Sequence, residues 1–324
     1  MNVAVFGAGA WGSALAQVIA ANGHDVRLWS YSSSQVESIR STSRIKYLPD
    51  IRLSDRIVPT DSVECALDHV DAILIAVPSH AFRQTLALIK VHYRAQPIAW
   101  ATKGFEQGSC KLLHQVVEEE LNANGVVISG PTFATEVARL MPTAVVAAGS
   151  VEQADVWVRL MNSKTFRVYT NDDITGVELG GALKNIIAIG AGISDGLGFG
   201  ANARAALVTR GLAEMARLAA VLGGKSETMM GLAGMGDLVL TCTDNQSRNR
   251  RFGLALAEGG SVEEVVAEIG QVVEGAKAAS LALELAREYQ VDMPIVEQVA
   301  RVLAGDIQPQ QAVIELMSRE PGSE

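Results

Sequence analysis

Short apolar runs alternate with amphipathic stretches along the first half of the chain. VAVFG (3–7), VRLWS (26–30), AILIAVP (72–78), PIAWAT (97–102), VVISG (126–130) and AVVAA (144–148) have the length and composition of buried strands. Between them, WGSALAQVIAANG (11–23), HAFRQTLALIK (80–90) and LLHQVVEEELN (112–122) repeat their apolar positions with a helical period. Continuous apolar strands separated by helices predict a parallel sheet covered on both faces.

The strand signal stops at about Tyr169, and the periodicity is helical over 173–189, 203–222, 262–269, 276–289, 295–304 and 309–318. Ser261 followed by Glu264 fits a capping box, and Pro294 and Pro309 suit first-turn helix positions. The expected organisation is an α/β domain over 1–175 and an all-helical domain over 176–324. Two domains also suit 324 residues, since single cores stop growing at roughly 250–300 residues. The apolar stretch 181–200 contains Lys184 and Asp195, and 203–222 contains Arg204, Arg210, Glu214 and Arg217. Charges at those depths are costly in lipid, so both read as buried helices and no membrane insertion is expected.

A net charge of −9 argues against a nucleic-acid surface or an anionic membrane as partner. Cys65, Cys110 and Cys242 are far apart, and the five histidines show no ligand spacing. Neither a metal site nor a disulfide framework is expected, which points to a reducing cytoplasm. MNVAVFGAG reads as a strand entering a glycine turn rather than a signal peptide.

That turn is the first chemical signal. Gly7, Gly9 and Gly12 form G-x-G-x-x-G between a strand and a helix. In this setting the first glycine allows the turn, the second lets backbone approach a pyrophosphate and the third lets helix pack on strand. Together with the strands that follow, the motif predicts a Rossmann-like doubly wound sheet that binds a dinucleotide. The second strand ends near Ser30, where NAD enzymes place a carboxylate for the ribose 2′-hydroxyl. WSYSSSQ has none. Its hydroxyls, with Arg27, Arg40 and Arg44 nearby, would tolerate a 2′-phosphate, so the sequence leans modestly to NADPH over NADH.

Four other places hold candidate chemistry. Lys103 in ATKGFE and Gly130 with Thr132 in SGPTFA follow strands, at the end of an α/β sheet where ligands bind. Their ordinary readings are a solvated loop lysine and a strand-to-helix turn. Lys184 stands in a helix of small and apolar residues. It either snorkels to water or sits partly buried at a cleft, where desolvation suits an amine to proton transfer. Asp237 in GMGDL reads more readily as a helix cap than as the partner of a basic group. In SRNRR, Ser247, Arg248 and Asn249 offer a hydroxyl, a guanidinium fork and an amide, a set that fits a phosphate. Arg250 and Arg251 are candidates for ordinary ion pairs. ISDGLGFGAN (193–202) has no preceding strand and reads as an interhelical loop.

GAGAWG, PSH (78–80), WATKG, SGPTFA, GGALKNIIAIGAGISDG, GFGANARAALVTRGLAEM, GLAGMGDLVLTCT, NQSRNRRFG and GQVVEG occur in this order from residue 7 to residue 275. The chain thereby closely resembles the bacterial NAD(P)-dependent glycerol-3-phosphate dehydrogenases. The resemblance implies reversible reduction of dihydroxyacetone phosphate to sn-glycerol 3-phosphate, with Lys184 as catalytic proton donor and acceptor. It places Lys103, Gly130, Thr132, Asp237, Ser247, Arg248 and Asn249 against substrate. Ala10, Trp11, Tyr31, Lys103, Ala134, Arg248, Val272 and Glu274 would contact the cofactor beside Gly7, Gly9 and Gly12. Position 31 is Tyr where relatives can carry His or Arg. A homodimer is expected. The competing readings are a 3-hydroxy-acid-type dehydrogenase of the same architecture and an NADPH-binding sensor without turnover.

Overall fold

The structure is a computed structural model and describes residues 1–269 and 274–320. The chain divides into two compact units, Met1–Glu178 and Leu179–Glu324.

Unit 1 opens with β1 (Asn2–Phe6), α1 (Ala10–Ala21), β2 (Asp25–Trp29), α2 (Ser33–Thr42), β3 (Ile57–Thr60), α3 (Val63–Leu67) and β4 (Ala72–Ile75). It continues through α4 (Phe82–Lys90), β5 (Ile98–Trp100), α5 (Leu113–Leu121) and β6 (Val126–Ser129). Then follow α6 (Ala134–Ala138), β7 (Thr143–Ala148), α7 (Val151–Met161) and β8 (Phe166–Asn171). The eight strands form one sheet in the order β3-β2-β1-β4-β5-β6-β7-β8. Strand order reverses between β1 and β4, the switch point at which doubly wound sheets bind ligands.

Four features depart from the sequence expectation. β3 is an added edge strand, IVPT, whose Pro59 is acceptable because an edge strand can forgo a ladder hydrogen bond. β8 is another, with burial alternating along FRVYTN instead of the continuous apolar run of an inner strand. β7 pairs antiparallel with β6, so the sheet is mostly rather than wholly parallel. Helices α2 and α7 also lie beyond the three periodic stretches. β4, β5 and β6 are buried throughout, and Val3, Val5, Leu74, Ala99 and Ile128 are fully enclosed beneath α1, α7 and their neighbours.

The boundary falls within α8 (Ile174–Gly196). Unit 2 continues with α9 (Gly200–Val221), α10 (Ser226–Met229), a π-helical turn at Leu232–Gly236, α11 (Asp237–Thr243) and α12 (Arg248–Ala257). α13 (Val262–Ile269), α14 (Glu274–Glu288), α15 (Pro294–Leu303) and α16 (Pro309–Met317) complete it. The ISDG segment expected in a loop forms the last turn of α8 instead, leaving only residues 197–199 before α9. Among the described residues α8 alone is long and apolar enough to cross a membrane, and its apolar window is wholly buried. Ser261 and Glu264 exchange the hydrogen bonds of a capping box. Pro294 and Pro309 occupy first-turn positions. The next two amides of α15, Ile295 and Val296, donate to the buried Glu214 carboxylate of α9 at 2.7 and 3.1 Å. These are helix-start donors without an intrahelical acceptor, so Glu214 fastens α15 to α9.

Candidate active site

In unit 1 the turn after β1 is pressed against the chain beyond β4. Gly7 has φ +117°, and a Cβ there would lie 2.6 Å from the Ala76 carbonyl oxygen. A Cβ on Gly12 would lie 2.0 Å from the Gly7 carbonyl oxygen. At Gly9 the same construction meets nothing within 4 Å. Two glycines are thus demanded by packing, while the middle one leaves an open face at the start of α1. The first-turn amides of Ala10, Trp11 and Gly12 have no intrahelical acceptor there, and the helix dipole favours an anion. This cradle fits the pyrophosphate of a dinucleotide.

Adjacent strand ends bring the other unit 1 candidates together. Lys103, three residues beyond β5, donates to the Gly130 carbonyl oxygen at 3.3 Å, and Thr132 donates to the same oxygen at 3.1 Å. Thr132 is therefore folded back on its own turn, and the N-cap of α6 is Phe133, just before Ala134. The Trp11 indole donates to the Ala101 carbonyl oxygen at 3.0 Å, tying the start of α1 to the loop that carries Lys103. The far side of that loop is held by Arg83, which pairs with Glu106 (2.9 Å), Glu119 (2.7 Å) and Glu120 (2.6 Å). Arg83 keeps the Glu106 carboxyl below the usual range. Sequence reasoning passed over this brace, because Arg83 and its three carboxylates lie on segments far apart in the chain.

At the end of β2, Tyr31 is 87% exposed. Ser30 donates to Gln35 (2.7 Å), whose amide donates to the Ala8 carbonyl oxygen inside the glycine turn (2.8 Å). The arginines expected near a 2′-phosphate are otherwise engaged. Arg27 donates to the Cys65 carbonyl oxygen, Arg40 to that of Pro59 and Arg44 to that of Pro49. A carboxylate that the sequence did not place here arrives from β3. The neighbouring Ser33 hydroxyl and the Arg40 charge hold the exposed Asp61 carboxyl below the usual carboxylate range.

Unit 2 gathers the second group around α8. A Cβ on Gly180 would lie 2.4 Å from the Ala233 carbonyl oxygen, so the helix packs directly against the π-helical turn. One turn further along α8, Lys184 faces Asp237, the first residue after that turn. Their side chains form an ion pair in which Lys184 is 6% and Asp237 0% exposed. Lys184 also donates to the Thr241 hydroxyl at 3.1 Å, and Thr241 donates onward to the Asp237 carbonyl oxygen at 2.5 Å. Asp237 is thus the partner of a basic group; the N-cap of α11 is Gly236. Thr241 is an addition to the sequence candidates, its clue being the i+4 spacing from Asp237 on one helix face.

The phosphate candidates sit at the start of α12. Ser247 is the N-cap, accepting from the Arg250 amide at 3.2 Å and keeping its hydroxyl proton to donate. Arg248 is half-buried in the first turn. Asn249 accepts from the Gly275 amide (3.0 Å) and donates to Asn185 beside Lys184 (2.9 Å), so it links three helices and retains one N–H. Arg250 takes the ion-pair role: it is buried and pairs at 2.6 Å with Asp195, which Arg204 also grips at 2.9 Å. Arg251 is exposed. Val272 and the Glu274 side chain lie outside the described residues.

Two family profiles cover this architecture. The NAD-dependent glycerol-3-phosphate dehydrogenase N-terminus matches residues 2–155, and the corresponding C-terminus matches residues 173–314. The chain belongs to this family. It is 51% identical over 328 residues to the glycerol-3-phosphate dehydrogenase [NAD(P)+] of Halorhodospira halophila, covering all of this chain and 98% of the relative. The enzyme of the same name from Hydrogenovibrio crunogenus is 48% identical over 336 residues, covering 97% of that relative. Among solved structures, the glycerol-3-phosphate dehydrogenase of Coxiella burnetii superposes with a TM-score of 0.95 at 49% identity, covering 98% of this chain and 99% of that one. Family membership makes the chain an NAD(P)-dependent dehydrogenase, so the glycine cradle of unit 1 and the buried lysine of unit 2 belong to one enzyme.

Proposed function

We propose that Lys184, Asp237, Thr241 and the Ser247–Asn249 turn carry the family's reaction on dihydroxyacetone phosphate. The product, sn-glycerol 3-phosphate, is the backbone of glycerophospholipids. The dinucleotide, held by its pyrophosphate on Gly7, Gly9, Ala10, Trp11 and Gly12, supplies or takes the hydride.

The observation that carries the reading is the buried Lys184–Asp237–Thr241 cluster, whose lysine stands on α8 next to Asn185, which Asn249 links to the phosphate turn. Lys184 holds its proton at Nζ, oriented by Asp237 and Thr241, and delivers it to the ketone oxygen; in the reverse direction it removes that proton. Asp237 offsets the charge of Lys184 in a site from which water is excluded, where such interactions are strong. The Ser247 hydroxyl, the Arg248 fork and the remaining Asn249 N–H bind the phosphate. Lys103, with Gly130 and Thr132, assists on substrate and nicotinamide. Widely spaced cysteines support a cytoplasmic enzyme, and exposed apolar residues of unit 2 such as Val221 and Met230 support a homodimer.

The test is loss of reduced-nicotinamide absorbance on addition of dihydroxyacetone phosphate. Lys184→Ala is expected to lower kcat by about a hundredfold or more with dinucleotide binding intact. Arg248→Ala is expected chiefly to raise KM for the phosphorylated ketone. Near-normal turnover in the first variant, or an unchanged KM in the second, would remove that residue from the site.

A further inference from the structure

Lys184 and the Ser247–Asn249 turn stand on different helices of unit 2, α8 and α12. The span from the ammonium to the phosphate ligands is therefore set by how these two helices lie against each other. Three contacts fix their register. Asn249 donates to Asn185, the residue after Lys184, at 2.9 Å. Further along, the helices meet backbone to backbone. A Cβ on Gly192 would lie 2.1 Å from the Arg250 carbonyl oxygen, and one on Gly253 would lie 2.1 Å from that of Ile189. The third contact is charged: Asp195, in the last turn of α8, accepts from Arg250 at 2.6 Å.

This ion pair does more than join two helices. Its side chains are 9% and 10% exposed, so the charges meet with little water between them. Arg250 spreads its guanidinium fork over two segments, one nitrogen on Asp195 and the other on the Asn245 side-chain oxygen in the loop ahead of α12. The Arg250 amide meanwhile donates to the Ser247 hydroxyl oxygen at 3.2 Å. One residue thus holds the entry to the phosphate turn by its side chain and the cap of that turn by its backbone. Asp195 is itself held, since Arg204 of α9 donates to both of its oxygens at 2.9 Å.

We infer that Asp195 is a positioning residue for the substrate phosphate: through Arg250 it holds the Ser247–Asn249 turn at a fixed reach from Lys184. The inference rests on the phosphate reading of that turn. With the pair intact the ligands are preorganised, and binding a phosphorylated ketone does not have to order them. A ketone without a phosphate gains nothing from the turn and is indifferent to the pair. A purely structural pair would affect both substrates alike.

The test is steady-state kinetics of the full-length enzyme with dihydroxyacetone phosphate and with dihydroxyacetone, together with competitive inhibition by inorganic phosphate. Asp195→Asn is expected to raise KM for the phosphorylated ketone by about tenfold and to weaken phosphate inhibition by a similar factor. Its kcat/KM for dihydroxyacetone is expected to stay within about twofold of wild type. Asp195→Asn combined with Arg250→Met removes both charges and strands neither, so it keeps the fold if the single variant does not. It is expected to show the same phosphate-specific loss. An unchanged KM for the phosphorylated ketone, or an equal fall in kcat/KM for dihydroxyacetone, in whichever of these variants folds, would overturn the inference. Arg248→Ala run in parallel separates the two readings. If it too leaves that KM unchanged, the phosphate reading of the turn fails and takes the inference with it; if it raises KM while the Asp195 variants do not, only the inference fails.

Discussion

Replacing Asp237 by asparagine keeps the shape of the Lys184 site and removes its counter-charge. Lys184 is 6% exposed and Asp237 0%, so neither charge has water to fall back on once its partner is gone. Breaking a buried pair from one side destabilises by about 3–5 kcal/mol, because the remaining charge stays desolvated. Against a total stability of roughly 5–15 kcal/mol, that is at least about a fifth of what holds the fold. Lys184→Met, which strands the Asp237 carboxylate, is expected to lose a similar amount. The two together leave no buried charge, and the double variant should recover most of the loss, giving a coupling of about 2 kcal/mol or more. Urea titration followed by far-UV circular dichroism measures all four corners of the cycle. Trp11, Trp29, Trp100 and Trp157 all lie in unit 1, so tryptophan emission reports that unit separately. Additive single losses, each below about 1 kcal/mol, would show that the pair is not closed in solution. The role of Asp237 in orienting the proton donor would go with it.

Burial pushes the Glu214 carboxyl up to about 7, despite the two amides that favour its charged form. The folded value lies above the unfolded one, so its contribution is full below about 4.5 and is lost as pH rises through about 7. Across that window wild type is expected to lose about 3 kcal/mol relative to Glu214→Gln in urea titrations; parallel pH profiles would refute it. Cys65 is exposed, whereas Cys242 is buried with its thiol pushed up to about 12. Iodoacetamide followed by peptide mass mapping should therefore label Cys65 in native protein and Cys242 only in urea, and early labelling of Cys242 would mean that α11, which carries Asp237, opens. Gly180→Ala should destabilise by about 1–3 kcal/mol and lower kcat, since the added methyl must part α8 from the π-helical turn that carries Asp237. Unchanged turnover would show that this contact does not position the pair.

Sequence alone determined much of this protein because much of it is local. The apolar runs of the inner strands, the helical period beyond Tyr169, the capping box at Ser261 and the glycine turn at residues 7–12 each express a preference within a few residues of chain. Collinear motifs at Lys103, Gly130, Lys184 and Ser247 also made the family legible, although they do not state what each side chain touches.

Tertiary structure decided what depends on residues distant in the chain. β3 contains a proline and β8 alternates buried with exposed residues, and they become strands only by pairing with the sheet edges. Asp61 meets the end of β2 for the same reason, and no spacing within WSYSSSQ could reveal it. Asp237 had the local look of a cap, but the close packing that Gly180 permits turned it toward Lys184. Of the three arginines within four residues, the sequence set Arg248 apart from Arg250 and Arg251 but named no partner for the last two. Asp195, far away on α8, made Arg250 a buried structural ion pair and left Arg248 half-buried at the start of α12. Local pattern specifies elements; the partners of a charge are set by packing, since a buried charge must find its opposite wherever the fold brings one.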